Sequence, residues 1–259
     1  MEQLMEHLVR HAVTTIRERF WEPLSLEELA RGAMVSKYHF LRVFTKVTGV
    51  TPGRFLCAVR LQEAKVLLLG TRLTVADIAV RVGYSSTGSF TRRFTELVGL
   101  SPTRYRMLSL APPVPEPPVS QPDMPAAGPV PRASGTVTGL LHTTTNTTNT
   151  GGGGRAVRVG VFASPLLQGA PVRLVHARAP GHFTLDGVPA GVWYVHAVTR
   201  PRPPAAGTAP PVRLTAAAGP VRVKDGAARR LELTLSAPDW SRPPVLCALM
   251  DLAPHPAAA

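Results

Sequence analysis

The sequence predicts a multidomain protein, with an all-α double helix-turn-helix domain followed by an all-β sandwich domain. Three observations support this prediction. A pattern near residue 40 is repeated about 50 residues later, a segment with nine prolines occupies residues 111–131, and beyond it short runs of Val, Leu and Thr alternate with Gly and Pro. The last pattern is typical of strands joined by turns. We therefore divide the chain into a helical domain (1–110), a Pro-rich linker (111–133) and a β-sandwich accessory domain with a tail (134–259).

The repeat compares "HFLRVFTKVTGVTP" with "SFTRRFTELVGLSP". At an offset of 50 residues, Phe40, Arg42, Phe44, Thr45, Gly49, Pro52, Arg54 and Phe55 match Phe90, Arg92, Phe94, Thr95, Gly99, Pro102, Arg104 and Tyr105. Eight matches at one offset, three of them aromatic, are hard to produce by chance. The two copies therefore predict two similar structural units.

Each copy predicts a first helix, a turn and a second helix. Ser25–Glu28 ("SLEE") and Thr74–Asp77 ("TVAD") have the spacing of capping boxes, in which a hydroxyl and a carboxylate bond to free backbone N–H groups. In the second copy, Gly83 is expected to supply the positive φ of the turn. These signals place the start of each unit.

The second helices are predicted at Lys37–Thr48 and Ser86–Val98, with Gly49 and Gly99 as their C-terminal stops. A connecting helix is predicted at Gly53–Leu69. Two second helices held rigidly apart can enter two successive major-groove segments of one DNA duplex, roughly 34 Å apart. The repeat thus predicts double-stranded DNA as the partner and a site that need not be palindromic.

Charge supports a polyanionic partner, with nucleic acid ahead of an acidic membrane surface. The formal net charge is +13. Residues 1–110 carry 16 Lys and Arg against 9 Asp and Glu, and the remainder carries 13 against 7, so charge alone does not say which domain binds. No run of 18 apolar residues and no signal-peptide pattern is present. Cys57 and Cys247 suggest no disulfide framework. We expect a cytoplasmic, nucleoid-associated protein that does not bind membranes.

The motifs "LSLEELA", "VSKYHFLRVFTKVTGVTPGRFLCAVRLQEAKVLLL" and "LTVADIAVRVGYSSTGSFTRRFTELVGLSPTRYR" resemble the DNA-binding domain of the AraC/XylS family of transcriptional regulators. The resemblance covers about residues 1–108. It implies two helix-turn-helix units joined by a long helix, binding to promoter DNA, and activation through contact with RNA polymerase.

The resemblance also implies roles for individual residues. Base readout falls to Tyr38, Leu41 and Arg42 in the first unit and to Thr87, Ser89 and Arg92 in the second. Phosphate contact falls to Lys37, His39, Ser86, Thr91, Arg93 and Arg104. The guanidinium forks of Arg42 and Arg92 suit guanine O6 and N7. The alternatives are a solvated or ion-paired arginine at either position and a Tyr38 ring partly packed on the helix surface. We expect the four repeat phenylalanines, Phe40, Phe44, Phe90 and Phe94, to be core residues.

Two positions depart from the family pattern. Met34 stands where the family usually has Gly. Positive φ costs a residue with a Cβ on the order of 1 kcal/mol, so the first turn is expected to adopt another geometry. Gly88 lies at the start of the second recognition helix, where it costs roughly 1 kcal/mol of helix propensity and offers no side chain for readout.

Residues 134–236 contain eight candidate strand segments, which we expect to form about seven strands. Val157, Val159 and Val161 alternate with other residues, as do Leu231, Leu233 and Leu235, and both patterns predict half-buried strands. The stretch "GHFTLDGVPAGVWYVHAV" resembles a hairpin of transthyretin-like or carboxypeptidase-regulatory-like sandwiches. The role of this domain stays open among sensing a ligand, contacting a partner protein and stabilisation.

Two other functions compete with that of a sequence-specific regulator. An architectural, nucleoid-type protein with little sequence preference would use the charge but would not require the paired motif. An enzyme is not expected, because no nucleophile elbow, phosphate loop or metal-ligand set is evident. His7 and His11 have metal-ligand spacing without a third ligand, so we expect no metal and no cofactor.

Overall fold

The computed structural model describes residues 2–110, 133–144, 154–199 and 213–251. The predicted linker lies almost entirely outside the described residues. These residues form two compact units. Unit 1 takes in residues 2–110 and Asp239–Ala248, and unit 2 takes in the described residues from 133 to 238 together with Leu249–Asp251.

The helices of unit 1 follow the predicted order. They are α1 (Glu2–Glu18), α2 (Leu26–Gly32), α3 (Lys37–Thr48), α4 (Pro52–Gly70), α5 (Val75–Arg81), α6 (Thr87–Val98) and α7 (Pro102–Leu110). A short helix, α8 (Ala248–Asp251), follows at the end of the described chain. In this arrangement α2–α3 and α5–α6 are the two helix-turn-helix units, and α4 connects them.

Both capping boxes are confirmed. The Glu28 N–H donates to Ser25 Oγ at 3.1 Å, and the Ser25 N–H donates to Glu28 Oε2 at 2.7 Å. The corresponding Thr74 and Asp77 bonds measure 3.1 and 3.2 Å. Each box satisfies N–H groups that have no partner inside the first helical turn, and so it fixes where α2 and α5 begin.

The second helices begin at serine caps. α3 spans the predicted residues, with Ser36 as its N-cap. α6 begins at Thr87, one residue after the prediction, because Ser86 has extended backbone angles and its side chain accepts the N–H of Ser89. Gly49 and Gly99 end these helices in the left-handed conformation, with φ of 76° and 88°, as predicted.

The turn of the first unit differs from expectation. Met34 has φ of 54°, so the turn keeps the left-handed geometry that Gly83 adopts in the second unit with φ of 85°. The N–H groups of Met34 and Val35 bond to carbonyls of α2 in the same pattern that Gly83 and Tyr84 use on α5. The prediction of another geometry was wrong, because these bonds outweigh a strain of about 1 kcal/mol.

Aromatic residues fill the core of each helix-turn-helix unit. Phe44 packs edge-on against Phe55, with ring centroids 5.7 Å apart, and Phe94 packs in the same way against Tyr105 at 5.8 Å. The four phenylalanines of the repeat are fully buried, which confirms their predicted core role: Phe40, Phe44, Phe90 and Phe94. The matching positions of the repeat are thus matching positions of two small cores.

The C-terminal segment differs from the predicted domain assignment. Asp239–Ala248 belongs to unit 1 rather than to the accessory domain. Leu246 and Cys247 are buried there. This placement could not be predicted from the sequence, because the segment follows the last strand directly and has no helical or strand periodicity.

Unit 2 consists of two β-sheets, as predicted. The strands are β1 (Ser134–Thr143), β2 (Arg155–Phe162), β3 (Arg173–Ala179), β4 (Gly181–Pro189), β5 (Gly191–Thr199), β6 (Thr215–Val223) and β7 (Ala228–Leu235). One sheet has the order β4-β1-β7 and the other β3-β2-β5-β6. The first and last strands, β1 and β7, pair in parallel, and the remaining pairs are antiparallel.

Two strand predictions need correction. The candidate strands "PVRLTA" and "PVRV" contribute to a single strand, β6, which continues through Pro220. The stretch that resembles a hairpin is not one, because β4 pairs with β1 whereas β5 pairs with β2 and β6. Only Ala190 separates β4 from β5, and one residue is too short for the two-residue turn of a tight hairpin. The chain therefore passes from one sheet to the other at this point.

Burial along β2 also departs from strict alternation. Val157, Val159 and Val161 line the core between the sheets, as predicted. Arg158 and Phe162, on the other face of β2, are buried as well. Leu233 and Leu235 of β7 are buried and alternate with exposed residues, in agreement with the prediction. β2 is therefore covered on both faces, whereas β7 has one face toward solvent.

Candidate nucleic-acid interface

Helix α3 exposes the residues predicted for base readout. Tyr38 is 76% exposed and Arg42 is also exposed, one helical turn further along. Leu41 lies beside them and is half-buried. Phe40 and Phe44 anchor the opposite face in the core. The packing therefore fixes which face of α3 is presented outward, and Tyr38 does not have the packed ring of the alternative interpretation.

Helix α6 presents the equivalent face of the second unit. Thr87, Ser89 and Arg92 are exposed, while Phe90 and Phe94 are fully buried. No atom outside the immediate chain lies within 4 Å of where a Gly88 Cβ would stand. The absent side chain leaves a shallow depression on the surface of α6, lined by Thr87, Gly88, Thr91, Arg92, Thr95 and Glu96. The sequence analysis did not assign Thr95 or Glu96 to the DNA-contacting surface, although their spacing from Arg92 would have indicated them.

Two predicted phosphate-contacting cations form exposed ion pairs. Lys37 Nζ lies 3.1 Å from Glu27 Oε1, and Arg93 NH1 lies 3.2 Å from Glu96 Oε2. The hydrogen bond from Lys37 lowers the pKa of Glu27. Exposed pairs of this kind are weak because water and salt screen them, so either cation can exchange its carboxylate for a phosphate.

Two other members of the predicted phosphate set have local structural roles. Ser86 caps α6, and its hydroxyl also donates to Ser89 Oγ at 3.0 Å. His39 is half-buried, and its Nδ1 lies 3.4 Å from Arg42 NH2. These contacts orient Ser89 and Arg42, which are both predicted base-reading residues.

The last two members are Thr91 and Arg104. Thr91 is half-buried on α6, and Arg104 is exposed in the first turn of α7. Arg54 stands at the equivalent position of α4 and is also exposed. The structure thus places the predicted residues on α3, on α6 and at the start of α7, within unit 1.

Arg60 on the connecting helix was not singled out by sequence reasoning. Its Nε donates to the Phe20 carbonyl at 2.6 Å and its NH2 donates to the Glu22 carbonyl at 2.8 Å. Its guanidinium also lies 5.8 Å from the ring centroid of Tyr84, at the turn of the second unit. Burial lowers the pKa of Arg60 and raises that of Tyr84. Arg60 therefore joins the loop after α1 to the second helix-turn-helix unit.

The described residues give little support for a metal site or a cluster of histidines. Within residues 2–110, 133–144, 154–199 and 213–251, no three His, Cys, Asp or Glu residues are grouped so that they could hold a metal ion. His7 and His11 are exposed on α1. In unit 2, His196 is buried against Phe162, His176 is half-buried and His182 is exposed. Over the same described residues, no helix has the length and apolar content needed to cross a membrane.

Comparison with known proteins agrees with this geometry. A helix-turn-helix domain family matches residues 29–107. The activator AarP of Providencia stuartii, an HTH-type transcriptional activator, is 32% identical over 105 residues, which cover 40% of this chain and 78% of AarP. The chain belongs to the AraC family of helix-turn-helix regulators.

Other similarities cover a similar share of the chain. An uncharacterised HTH-type transcriptional regulator of Haemophilus influenzae is 37% identical over 103 residues, so the match spans only 35% of that relative's length. The C-terminal domain of AraT, a response regulator from Geobacillus stearothermophilus, is 34% identical, with 39% of this chain and 84% of that chain covered and a TM-score of 0.38. The matches to these relatives cover about 40% of this chain at most, and the predicted kinship of unit 2 to transthyretin-like sandwiches stays a prediction.

Proposed function

We propose that the protein is a sequence-specific DNA-binding transcriptional regulator that places α3 and α6 in two successive major-groove segments. The observation that carries this proposal is the exposure of equivalent faces on both helices, each backed by a buried phenylalanine pair. Membership of the AraC family supports the proposal, and AarP is itself named as a transcriptional activator. The net charge of +13 provides the attraction to phosphate that every such site needs.

Arg42 and Arg92 are the proposed principal base-reading residues. They occupy the same position in the two copies of the repeat, and both are exposed. A guanidinium can bond to O6 and N7 of guanine with two parallel hydrogen bonds, which is the commonest specific contact in the major groove. Tyr38 adds an apolar ring edge that can contact a thymine methyl group.

The alternative is an architectural protein that binds DNA through charge alone. The uncharged first turn of α6 argues against it. Thr87, Gly88 and Ser89 are exposed there and carry no charge, whereas binding through charge alone would favour cations at these positions. A protein of that class would lose affinity evenly over all sequences when any exposed arginine was removed.

Selection of DNA fragments from a random library by the full-length protein, followed by sequencing, tests the proposal. The expected outcome is one asymmetric motif with two conserved blocks about ten base pairs apart. The double variant Arg42→Ala/Arg92→Ala should lose both blocks. Lys224→Ala, an exposed cation of unit 2, is the matched control and should retain them. Enrichment without a motif would favour the architectural alternative.

The finer parts of the proposal concern partners. We include contact with RNA polymerase at a promoter, a location on the nucleoid, and a ligand or protein that binds unit 2, and we assign no enzymatic activity to either unit. Transcription in vitro from a promoter that carries the selected motif tests the polymerase contact, since an activator increases the transcript only when the motif is present.

A further inference from the structure

The C-terminal segment Asp239–Ala248, called the return segment here, contacts unit 1 at two places. Its C-terminal half meets α4 through Lys65. The Nζ of Lys65 donates to the carbonyls of Val245 at 2.8 Å and Leu246 at 3.4 Å, and to Gln62 Oε1 at 3.3 Å. Lys65 is only 2% exposed. A lysine is almost never buried so fully without partners, so these carbonyls are an integral part of its environment.

The N-terminal half of the return segment meets α1 through Trp240. The guanidinium of Arg10 stacks over the Trp240 ring, 4.3 Å from its centroid. Arg17, two turns further along α1, donates to the Trp240 carbonyl at 3.4 Å. Stacking of this kind contributes through both cation–π attraction and apolar contact. The return segment is thus held at each end by basic residues of unit 1.

The contacts of Arg17 and Lys65 each continue to a recognition helix. The Arg17 guanidinium lies 6.0 Å from the ring centroid of Phe55, and Phe55 packs against Phe44 of α3. Lys65 Nζ lies 5.9 Å from the ring centroid of Tyr105, and Tyr105 packs against Phe94 of α6. Two contact series therefore run from one ten-residue segment to the buried faces of α3 and α6.

We propose that the return segment is an intramolecular peptide ligand of the DNA-binding unit and that it positions both recognition helices. Its binding site is formed by α1 and α4, with Lys65 and Arg17 as positioning residues and the segment's main-chain carbonyls as the recognised groups. The helix-turn-helix unit is therefore complete only when residues near 240–246 are bound, although they lie far from the repeat in the sequence. This adds to the proposed DNA-binding function a third element that the repeat does not contain.

Hydrogen–deuterium exchange of the full-length protein without DNA tests the positioning. Two variants weaken the segment at different ends. Lys65→Met keeps an unbranched side chain that is one atom shorter and removes the donor, and Trp240→Ala removes the stacked ring. Both should exchange faster than wild type in α3, in α6 and in residues 240–247. Lys224→Met is the matched control, because it removes an exposed lysine of unit 2, and its exchange in α3 and α6 should equal that of wild type.

DNA affinity is the second measurement. If the segment holds the helices in place, each variant should lose about tenfold in affinity for the selected site. In Lys65→Met this is the effect of losing one buried hydrogen bond to a charged group, and in Trp240→Ala it is the effect of losing one cation–π contact. The slope of log affinity against log salt should not change, because neither variant removes a phosphate contact. If the return segment stabilises only the surface of α1, both variants should keep the DNA affinity of wild type and its exchange rate in α6.

The possible results distinguish the positioning role of the return segment from the regulator function. Unchanged exchange in α3 and α6 in both variants would overturn the proposal. If Lys65→Met does not fold, Trp240→Ala decides, since it leaves the buried lysine in place. Absence of any sequence preference in wild type would count against the regulator function, whereas the exchange measurement would still judge the positioning role on its own.

Discussion

Met34 and Gly83 occupy equivalent positions in the turns of the two helix-turn-helix units, and both have positive φ, 54° and 85°. Their surroundings differ. The Met34 side chain is 92% exposed, whereas a Cβ on Gly83 would lie 2.6 Å from the Trp21 carbonyl oxygen. The two turns therefore have the same geometry in different surroundings. Met34 adopts it with backbone strain but has free space around its side chain, whereas Gly83 adopts it without strain at a site that has no space for a side chain.

Replacing Met34 with Gly should stabilise the protein. The left-handed conformation costs a residue with a Cβ about 1–2 kcal/mol, and the added chain entropy of Gly offsets roughly half, so a gain of about 0.5–1 kcal/mol is expected. Urea unfolding of the two proteins measures this difference. Met34→Ala keeps the strain and should leave stability within about 0.5 kcal/mol of wild type. A loss of stability in Met34→Gly would contradict the strain argument.

Replacing Gly83 with Ala should destabilise the protein by about 2 kcal/mol or more, because the left-handed strain adds to a clash with backbone. Gly88→Ala is the matched comparison, since nothing lies within 4 Å of its Cβ position. That substitution should stabilise α6 by up to about 1 kcal/mol through helix propensity. Thermal unfolding that ranks the two variants the other way would refute the assignment of Gly83 to a crowded turn.

Arg92 and Arg93 are expected to contribute to DNA binding in different ways. Arg92→Ala should cost about 1–3 kcal/mol and relax the preference at one base position. Arg93, which pairs with Glu96 in the free protein, is expected to contact phosphate. Arg93→Ala should weaken all sequences alike and reduce the salt slope by about one unit. Equal, sequence-independent losses in a competition assay would show that the roles are assigned wrongly.

Acid should destabilise unit 1 through its capping boxes. Hydrogen bonds from Ser25 lower the pKa of Glu28 below 4.5, and those from Thr74 lower the pKa of Asp77 below 3.8. Because the folded carboxyl groups bind protons less readily than the unfolded ones, their contribution is present above those ordinary values and is lost as the pH falls below them. Melting curves between pH 7 and pH 3 measure the loss.

The matched variant for this measurement is Glu28→Gln with Asp77→Asn, which keeps the shape of both side chains and removes their titration. Its melting temperature should fall less than that of wild type over the same pH range. Equal slopes for the two proteins would exclude the capping boxes as a source of acid sensitivity.

The fold of unit 1 could be predicted because its signals are local. The boxes at Ser25 and Thr74 and the stops at Gly49 and Gly99 each depend on residues within a few positions of one another. The faces of α3 and α6 followed from the spacing of their phenylalanines. The geometry of the turn at Met34 was predicted wrongly. The conformational preference of a residue gives the cost of a backbone conformation, but it does not include the hydrogen bonds that favour that conformation in the fold.

The contacts that could not be predicted are long-range. Nothing within a few positions of Lys65 indicates that it bonds to carbonyls about 180 residues away, and a lone lysine in a helix normally predicts a solvated one. The separation of β4 from β5 likewise depends on which sheet each strand joins. That choice is made by pairing with β1 and β2, which the pattern of a single strand does not encode.

The parallel pairing of β1 with β7 determines when the first sheet can finish folding during synthesis. β1 is the middle strand of its sheet, with β4 on one edge and β7 on the other. A chain made from its N-terminus therefore leaves one edge of β1 without a hydrogen-bonding partner until residues 228–235 have emerged from the ribosome. Unpaired edges invite pairing with other chains. Nascent chains that stall before residue 228 should thus be the aggregation-prone species, and full-length chains should not.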